Sequence, residues 1–236
     1  PGLPLLRSKD LVNWEFVTYI FDRLDLGPDF HLEGNKGIYG NGIWAPAIRY
    51  HKGTFYVFVN VNDHGLQVFS AKDPTGPWVH KNMGGRIYDL GILFDDDDKI
   101  YAVHGYDEVR LIQLKPDFSG YVEGSEKVII PKGSAMGEGH HFYKIDGKYY
   151  FFDSYGVCQS GLIKFTSGGK TETAYFDPEA GGAMSIGRNT NAVDKKDKVY
   201  TFCSGTSGSE KGCGVTGEKD GFLYNNGLLV SAKEGS

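Results

Sequence analysis

Several things are scarce in this chain of 236 residues, and each scarcity excludes a class of protein. No apolar stretch approaches 18 uninterrupted residues, so no membrane-spanning helix is expected. Lysine and arginine form no run and the formal net charge is −5, which argues against nucleic acid as a partner. Only three cysteines occur, Cys158, Cys203 and Cys213, at a spacing that fits no zinc ligand pattern. Their odd number leaves at least one thiol without an internal partner, and Cys203 with Cys213 is the expected pair in an oxidising compartment. No heptad or three-residue period is present, which removes coiled-coil and collagen-like readings. The chain starts at Pro1 with neither a methionine nor an apolar leader, so a processed, truncated or otherwise incomplete start is expected.

What is abundant is glycine, at 34 residues, beside 15 tyrosines and 15 phenylalanines. Many turns joined to many aromatics is the composition of an all-β protein built from short strands. Four segments repeat one pattern of an apolar run, a polar turn and an aromatic-rich strand. They begin at Arg49, Leu93, Phe142 and Ala192 and each reads as a β-hairpin. Their equivalent tyrosines are Tyr56, Tyr101, Tyr150 and Tyr200, separated by 45, 49 and 50 residues. A strand-based repeat of this length predicts the blades of a β-propeller. Ser8-Lys9-Asp10 before Trp14 matches Ala71-Lys72-Asp73 before Trp78, which places the start of the chain in the middle of a blade. The expected architecture is a five-bladed β-propeller whose first blade is incomplete, in a single domain over residues 1–236. Residues 156–182 lack the outer-strand motif, whereas Phe222–Tyr224 and Leu228–Val230 read as strands of the last blade.

The first strand of a propeller blade lines the central axis, so equivalent positions on it converge. Twelve residues before each tyrosine stand Trp44, Asp89, Glu138 and Arg188: an indole, two carboxyl groups and a guanidinium at one register. Paired carboxyls repel, which holds one of them protonated and able to act as a general acid. A flat indole stacks on a sugar ring, and Arg188 would hold a carboxylate or a hydroxyl. Together these groups suggest cleavage of a glycosidic bond.

At this point the residues resemble glycoside hydrolase family 43. The resemblance rests on Gly42-Ile43-Trp44-Ala45-Pro46, Asp73-Pro74-Thr75-Gly76-Pro77-Trp78, Tyr88-Asp89 with Leu93-Phe94-Asp95-Asp96-Asp97, and Glu138-Gly139-His140-His141 with Tyr143-Lys144. It implies a five-bladed propeller and an inverting glycosidase acting on β-xylosides, α-L-arabinofuranosides or related plant cell-wall glycans, with an oligosaccharide or polysaccharide as partner. By motif, Glu138 would be the general acid and Asp89 the carboxylate that tunes and orients it, while the family's general base would lie upstream of Pro1. Trp44, Arg188 and His140 are the expected substrate-binding residues. The resemblance implies no required cofactor and allows a structural calcium ion, for which no residue here is singled out. A secreted or periplasmic setting is expected. A carbohydrate-binding propeller that has lost catalysis is the alternative.

Other conspicuous residues have plainer readings. Asp95 to Asp98 read as a solvated turn, without the alternating ligands of a calcium loop. His140 shares the strand face of Glu138 and His141 takes the opposite one. His104 reads as a strand residue, Trp14 and Trp78 as packing between blades, and Asn41 and Asn60 as rim or packing residues. Asp107, Glu108 and Arg110 read as a mixed-charge strand facing solvent.

Overall fold

A computed structural model describes residues 2–31, 33–34, 40–133, 137–153, 155–167, 170–189, 199–203 and 212–232. The described residues form strands and loops with one short 3₁₀ turn, Pro28–His31, so the all-β expectation holds. Strands β1 (Leu3–Ser8) and β2 (Trp14–Phe21) form a two-stranded antiparallel sheet. A four-stranded meander follows: β3 (Ala47–His51), β4 (Thr54–Val61), β5 (Gly65–Ala71) and β6 (Val79–Gly84). The next sheet has the same order: β7 (Gly91–Phe94), β8 (Ile100–Tyr106), β9 (Glu108–Leu114) and β10 (Lys127–Ile130). Then come the hairpin β11 (His141–Ile145) and β12 (Lys148–Phe152), and a sheet of β13 (Gly161–Ser167), β14 (Lys170–Asp177) and β15 (Ala183–Met184). The last sheet takes β16 (Gly187–Asn189), β17 (Tyr200–Phe202), β18 (Gly217–Lys219), β19 (Phe222–Asn225) and β20 (Leu228–Ala232), in the order β16-β17-β20-β19-β18.

The turns explain why these segments fold back so tightly. Lys52-Gly53 joins β3 to β4 with φ of 45° and 76°. Asp146-Gly147 joins β11 to β12 at 50° and 74°, and Asp220-Gly221 joins β18 to β19 at 54° and 80°. Asn226-Gly227, at 50° and 86°, joins β19 to β20. Two successive positive φ values make a type I′ turn, whose twist matches that of the strands, and Asn, Asp and Gly reach it most readily. Lys52 is the exception by residue type, and its ammonium is anchored on Asp98 at 2.5 and 2.6 Å. The turn of the fourth predicted hairpin lies outside the described residues, but its strands pair as Gly187↔Phe202, Arg188↔Thr201 and Asn189↔Tyr200. All four repeat tyrosines therefore stand on the second strand of a hairpin.

The outer turns repeat as well. Asp10 accepts the backbone N–H groups of Val12 and Asn13 at 2.9 and 2.7 Å, and these bonds hold its carboxyl well below the usual carboxylate range. Asp73 accepts from Thr75 through backbone and hydroxyl at 2.8 and 2.5 Å. Asp117 does the same with Ser119, an instance that the sequence comparison did not pick out. Each aspartate closes a side-chain turn just after a strand.

The chain falls into two compact units, residues 1–102 with 113–123, and residues 103–112 with 124–236. In the first, sheet β3–β6 is covered on both faces. Val57, Val59 and Val61 of β4 pack on one side with Leu3, Ile20 and Phe69. On the other side Tyr56 and Phe58 meet Phe94 and Phe118, with Phe58 to Phe118 at 5.7 Å between ring centroids. Alternating residues of one strand thus serve two interfaces. Trp78 joins this core, whereas Trp14 is exposed on β2 and does not pack between sheets as expected.

The second unit has its own core, in which Val103, Val109 and Ile130 meet Phe151, Ala174 and Phe176. Residues 156–182, which looked poor in strand signal, supply the hairpin β13–β14 with seven residue pairs from Gly161↔Phe176 to Ser167↔Lys170. Phe222–Tyr224 and Leu228–Val230 are strands as read, and β20 pairs with both β17 and β19.

Candidate active site

An antiparallel hairpin places the start of its first strand beside the end of its second. In hairpin β3–β4 that end carries Trp44, in β7–β8 Asp89, in β11–β12 Glu138 and in β16–β17 Arg188. The expected register needs two corrections. Arg188 pairs with Thr201, one residue from Tyr200, whereas Trp44 and Glu138 each lie five residues before the partner of their tyrosine, because more residues separate β16 from β17. The other three stand just ahead of the first strand rather than on it. Trp44 lies in an extended approach to β3, Asp89 in a turn before β7 and Glu138 in a bend before β11. Backbone conformation gives the reason. Asp89 has φ of 53°, and Gly137 and Gly139 on either side of Glu138 both have φ of 74°, values that a strand does not admit. Such turns lift a side chain out of the sheet and aim it from a loop on a rigid scaffold.

In the first unit the surroundings of Trp44 are built by β4. The indole N–H donates to Asn62 Oδ1 at 2.5 Å, and the Trp44 backbone N–H donates to the Asn60 carbonyl at 3.0 Å. Tyr88, next to Asp89, packs edge-on to the Trp44 ring with 4.9 Å between centroids and 72° between planes. Asn60 is buried and accepts the backbone N–H of Ile87 at 3.3 Å through its side chain. Two half-buried groups, the indole and the Tyr88–Asp89 turn, are thereby held side by side by one strand.

In the second unit Glu138 is half-buried at the end of a loop that Asp107 fastens. The Asp107 N–H donates to the Gly137 carbonyl at 3.0 Å, and both carboxylate oxygens accept the Gly133 N–H at 3.1 and 3.0 Å. Asp107 itself holds φ of 62°. His140 is 1% exposed and lies parallel to Phe151 at 5.7 Å. The substrate-binding role read for it needs a ring that reaches the sugar, and here the ring is closed off from solvent. Arg188 sits on β16 opposite Thr201, and its side chain lies outside the described residues.

The neighbouring charges have structural work. Arg110 bridges Glu108 and Glu126 at 2.5 and 2.8 Å, and Glu126 also approaches the buried His104 at 3.4 Å. Burial pushes the His104 imidazole below its ordinary value, with Glu126 opposing the shift. Asp95 to Asp98 bend around a hairpin tip, where Lys99 pairs with Asp97 and Lys52 with Asp98. Among the described residues no three His, Cys, Asp or Glu side chains converge, so no ligands are assigned to the calcium ion that the resemblance allows. Cys203 and Cys213, the pair expected in an oxidising compartment, are backbone neighbours, the N–H of the first donating to the carbonyl of the second at 2.7 Å.

Asn62 and Asp107 are the residues the sequence reading missed as part of the site. Their signals were present: Asn60 and Asn62 interrupt an apolar strand at period two, and Asp107 sits between two strands where a left-handed residue is needed.

The chain is similar to several known proteins. A β-xylosidase of Formosa agariphila is 33% identical over 172 residues, covering 64% of this chain and 28% of that protein. A non-reducing end α-L-arabinofuranosidase of Bacteroides ovatus is 36% identical over 163 residues, covering 66% of this chain and 30% of its own. The chain thus spans less than a third of the length of these two curated relatives. A bifunctional GH43-CE protein structure from Bacteroides eggerthii superposes with a TM-score of 0.60 at 29% identity, over 99% of this chain and 32% of the other. That likeness agrees with the five-bladed propeller expected from the repeat. The residues that carry Trp44, Asp89 and Glu138 fall inside a match to the family model of the glycosyl hydrolases over residues 1–207, and the chain belongs to glycosyl hydrolases family 43.

Proposed function

We propose that this chain cleaves β-xylosidic or α-L-arabinofuranosidic bonds of plant cell-wall glycans by an inverting acid/base mechanism. Membership of family 43 over residues 1–207 carries the reading, because Trp44, Asp89 and Glu138 all lie within the matched segment. The β-xylosidase and α-L-arabinofuranosidase among its relatives support the substrate class.

In this reading Glu138 protonates the glycosidic oxygen as the bond to the anomeric carbon breaks, and a water attacks the opposite face of the ring. Asp89 tunes and orients the acid. Trp44 offers its face to the sugar, and Arg188 binds substrate. Glycines on both sides suit Glu138 to its task, since a flanking Cβ would restrict the positive φ that presents it.

The test is a time course of aryl β-xyloside and aryl α-L-arabinofuranoside hydrolysis by the full-length protein, followed by proton NMR of the sugar released. First appearance of the inverted anomer is expected. First appearance of the retained anomer would refute the mechanism, and sugar binding without turnover would establish the carbohydrate-binding alternative instead.

A further inference from the structure

We propose that Asn62 is a positioning residue that fixes the orientation of the Trp44 ring and so sets sugar affinity. The inference rests on the proposed function only for what Trp44 binds; the orientation of the ring follows from local geometry. Asn62 stands directly after β4, and its Oδ1 accepts two hydrogen bonds, from the Trp44 indole at 2.5 Å and from the Gly42 N–H at 3.2 Å. Its backbone N–H returns a bond to the Gly42 carbonyl at 3.1 Å. Ile43 bridges to Val61, and Trp44 N–H donates to the Asn60 carbonyl at 3.0 Å. Residues 42–44 are therefore zipped onto the end of β4 by backbone bonds, and the one polar atom of the indole is tied by the side chain of the residue that follows that strand.

The chemistry of the groups makes this arrangement selective. An indole has a single hydrogen-bonding atom, a donor, and an amide oxygen has two lone pairs. Flipping the ring about its attachment would carry the N–H away from Asn62 and leave Oδ1 with one partner. Tyr88 then limits the remaining freedom, meeting the ring edge-on at 4.9 Å. A ring held on two sides presents one face, and a sugar binding to it need not order the side chain first. Asn62 touches neither the reacting bond nor, in this account, the sugar. Its effect runs through Trp44.

The experiment uses the full-length protein and four variants: Asn62→Ala, which removes the acceptor; Asn62→Asp, which keeps it; Trp44→Phe, which removes the donor; and the double variant Asn62→Ala/Trp44→Phe. Asn62→Ala should raise KM for the aryl glycoside about tenfold while kcat changes little, since one lost hydrogen bond of about 1.4 kcal/mol is a tenfold change in binding. Asn62→Asp should restore most of that affinity. In the Trp44→Phe background the same Ala substitution should move KM by less than about threefold, because coupling disappears when either partner is absent. Independently of activity, the Trp44 indole N–H, labelled with nitrogen-15 and assigned by its loss in Trp44→Phe, should exchange with solvent faster in Asn62→Ala and not in Asn62→Asp. Should Asn62→Ala be insoluble, Asn62→Ser replaces it, its shorter side chain failing to reach the indole.

Equal KM effects of the Ala substitution in both backgrounds, or an indole exchange rate that Asn62→Ala leaves untouched, would overturn the proposal. If the enzyme proves inactive on both glycosides but the exchange result holds, the positioning role stands and the substrate reading falls.

Discussion

Replacing Asp107 tests how the loop before Glu138 is held. Its carboxylate takes the Gly133 N–H on both oxygens, its own N–H reaches the Gly137 carbonyl, and its φ is 62°. Two separable effects are therefore lodged in one residue: a charge-assisted hydrogen bond and a left-handed backbone. Asp107 is half-buried, so the hydrogen bond is taken at the low end of its range, about 1.5 kcal/mol. Left-handed strain at alanine adds about 1 kcal/mol, a cost that glycine lacks and asparagine largely escapes. Asp107→Ala should then cost about 2.5 kcal/mol, Asp107→Gly about 1.5 and Asp107→Asn less than about 1. Urea unfolding of the full-length protein measures these three differences. The same order should appear in kcat, with losses of up to about 100-fold in the alanine variant, because small displacements of an acid are costly to rate. An alanine variant as stable and as active as the asparagine variant would show that Asp107 does not hold the loop.

Other outcomes follow from other parts of the molecule. Gly65 has φ of 74°, and a Cβ there would sit 2.4 Å from the Gly85 carbonyl oxygen and 2.5 Å from the Gly84 carbonyl carbon, so Gly65→Ala forces backbone to move. We expect a loss of about 2–5 kcal/mol, seen as a melting temperature lower by roughly 5–15 °C; an unchanged melting temperature would contradict the packing of β5 on β6. His104 is held neutral by burial, with Glu126 and Arg110 as its charged neighbours. An unfolded chain takes up that proton first, so this contribution is complete above the ordinary value of 6.5 and is lost as pH falls below it. His80, although exposed, is shifted in the same direction by partial desolvation, so stability should decline from pH 7.5 to 5.5 and decline less in His104→Gln; a rise over that interval would count against it.

The hairpins were legible in the sequence because their turns are written in residues that tolerate positive φ, as at Asp146-Gly147 and Asn226-Gly227, and because each second strand repeats a tyrosine. The matching of Ser8-Lys9-Asp10 to Ala71-Lys72-Asp73 was legible for a related reason: the same aspartate closes the same kind of turn. Counting twelve residues back from a tyrosine found the right end of the hairpins of Trp44, Asp89 and Glu138 but not the right conformation, and it missed the equivalent position in β16–β17, where Arg188 pairs one residue from Tyr200. Residue spacing carries no record of the positive φ at Asp89 or around Glu138, which pulls those residues off the strand. The β13–β14 hairpin was hidden because its turn region is rich in Ser, Thr and Gly, and its pairing depends on Leu162, Ile163, Ala174 and Tyr175 meeting across the strands. Trp14 misled because tryptophan is usually buried, whereas among the described residues its strand pairs only with β1 and its ring is exposed. The partners of Trp44 and the loop clasp at Asp107 required coordinates, since they join residues 18 and 26 positions apart.

The proposed role of Glu138 as the proton donor is the centre of this account, and leaving-group chemistry tests it most directly. The measurement is kcat/KM of Glu138→Gln and wild type on a series of aryl β-xylosides and aryl α-L-arabinofuranosides whose phenols differ in acidity. Glutamine keeps the shape but has no proton to give, so poor leaving groups should lose about 100-fold or more and the most acidic phenols much less. Losses that are equal across the series, or small throughout, would mean that the leaving oxygen takes its proton from another residue.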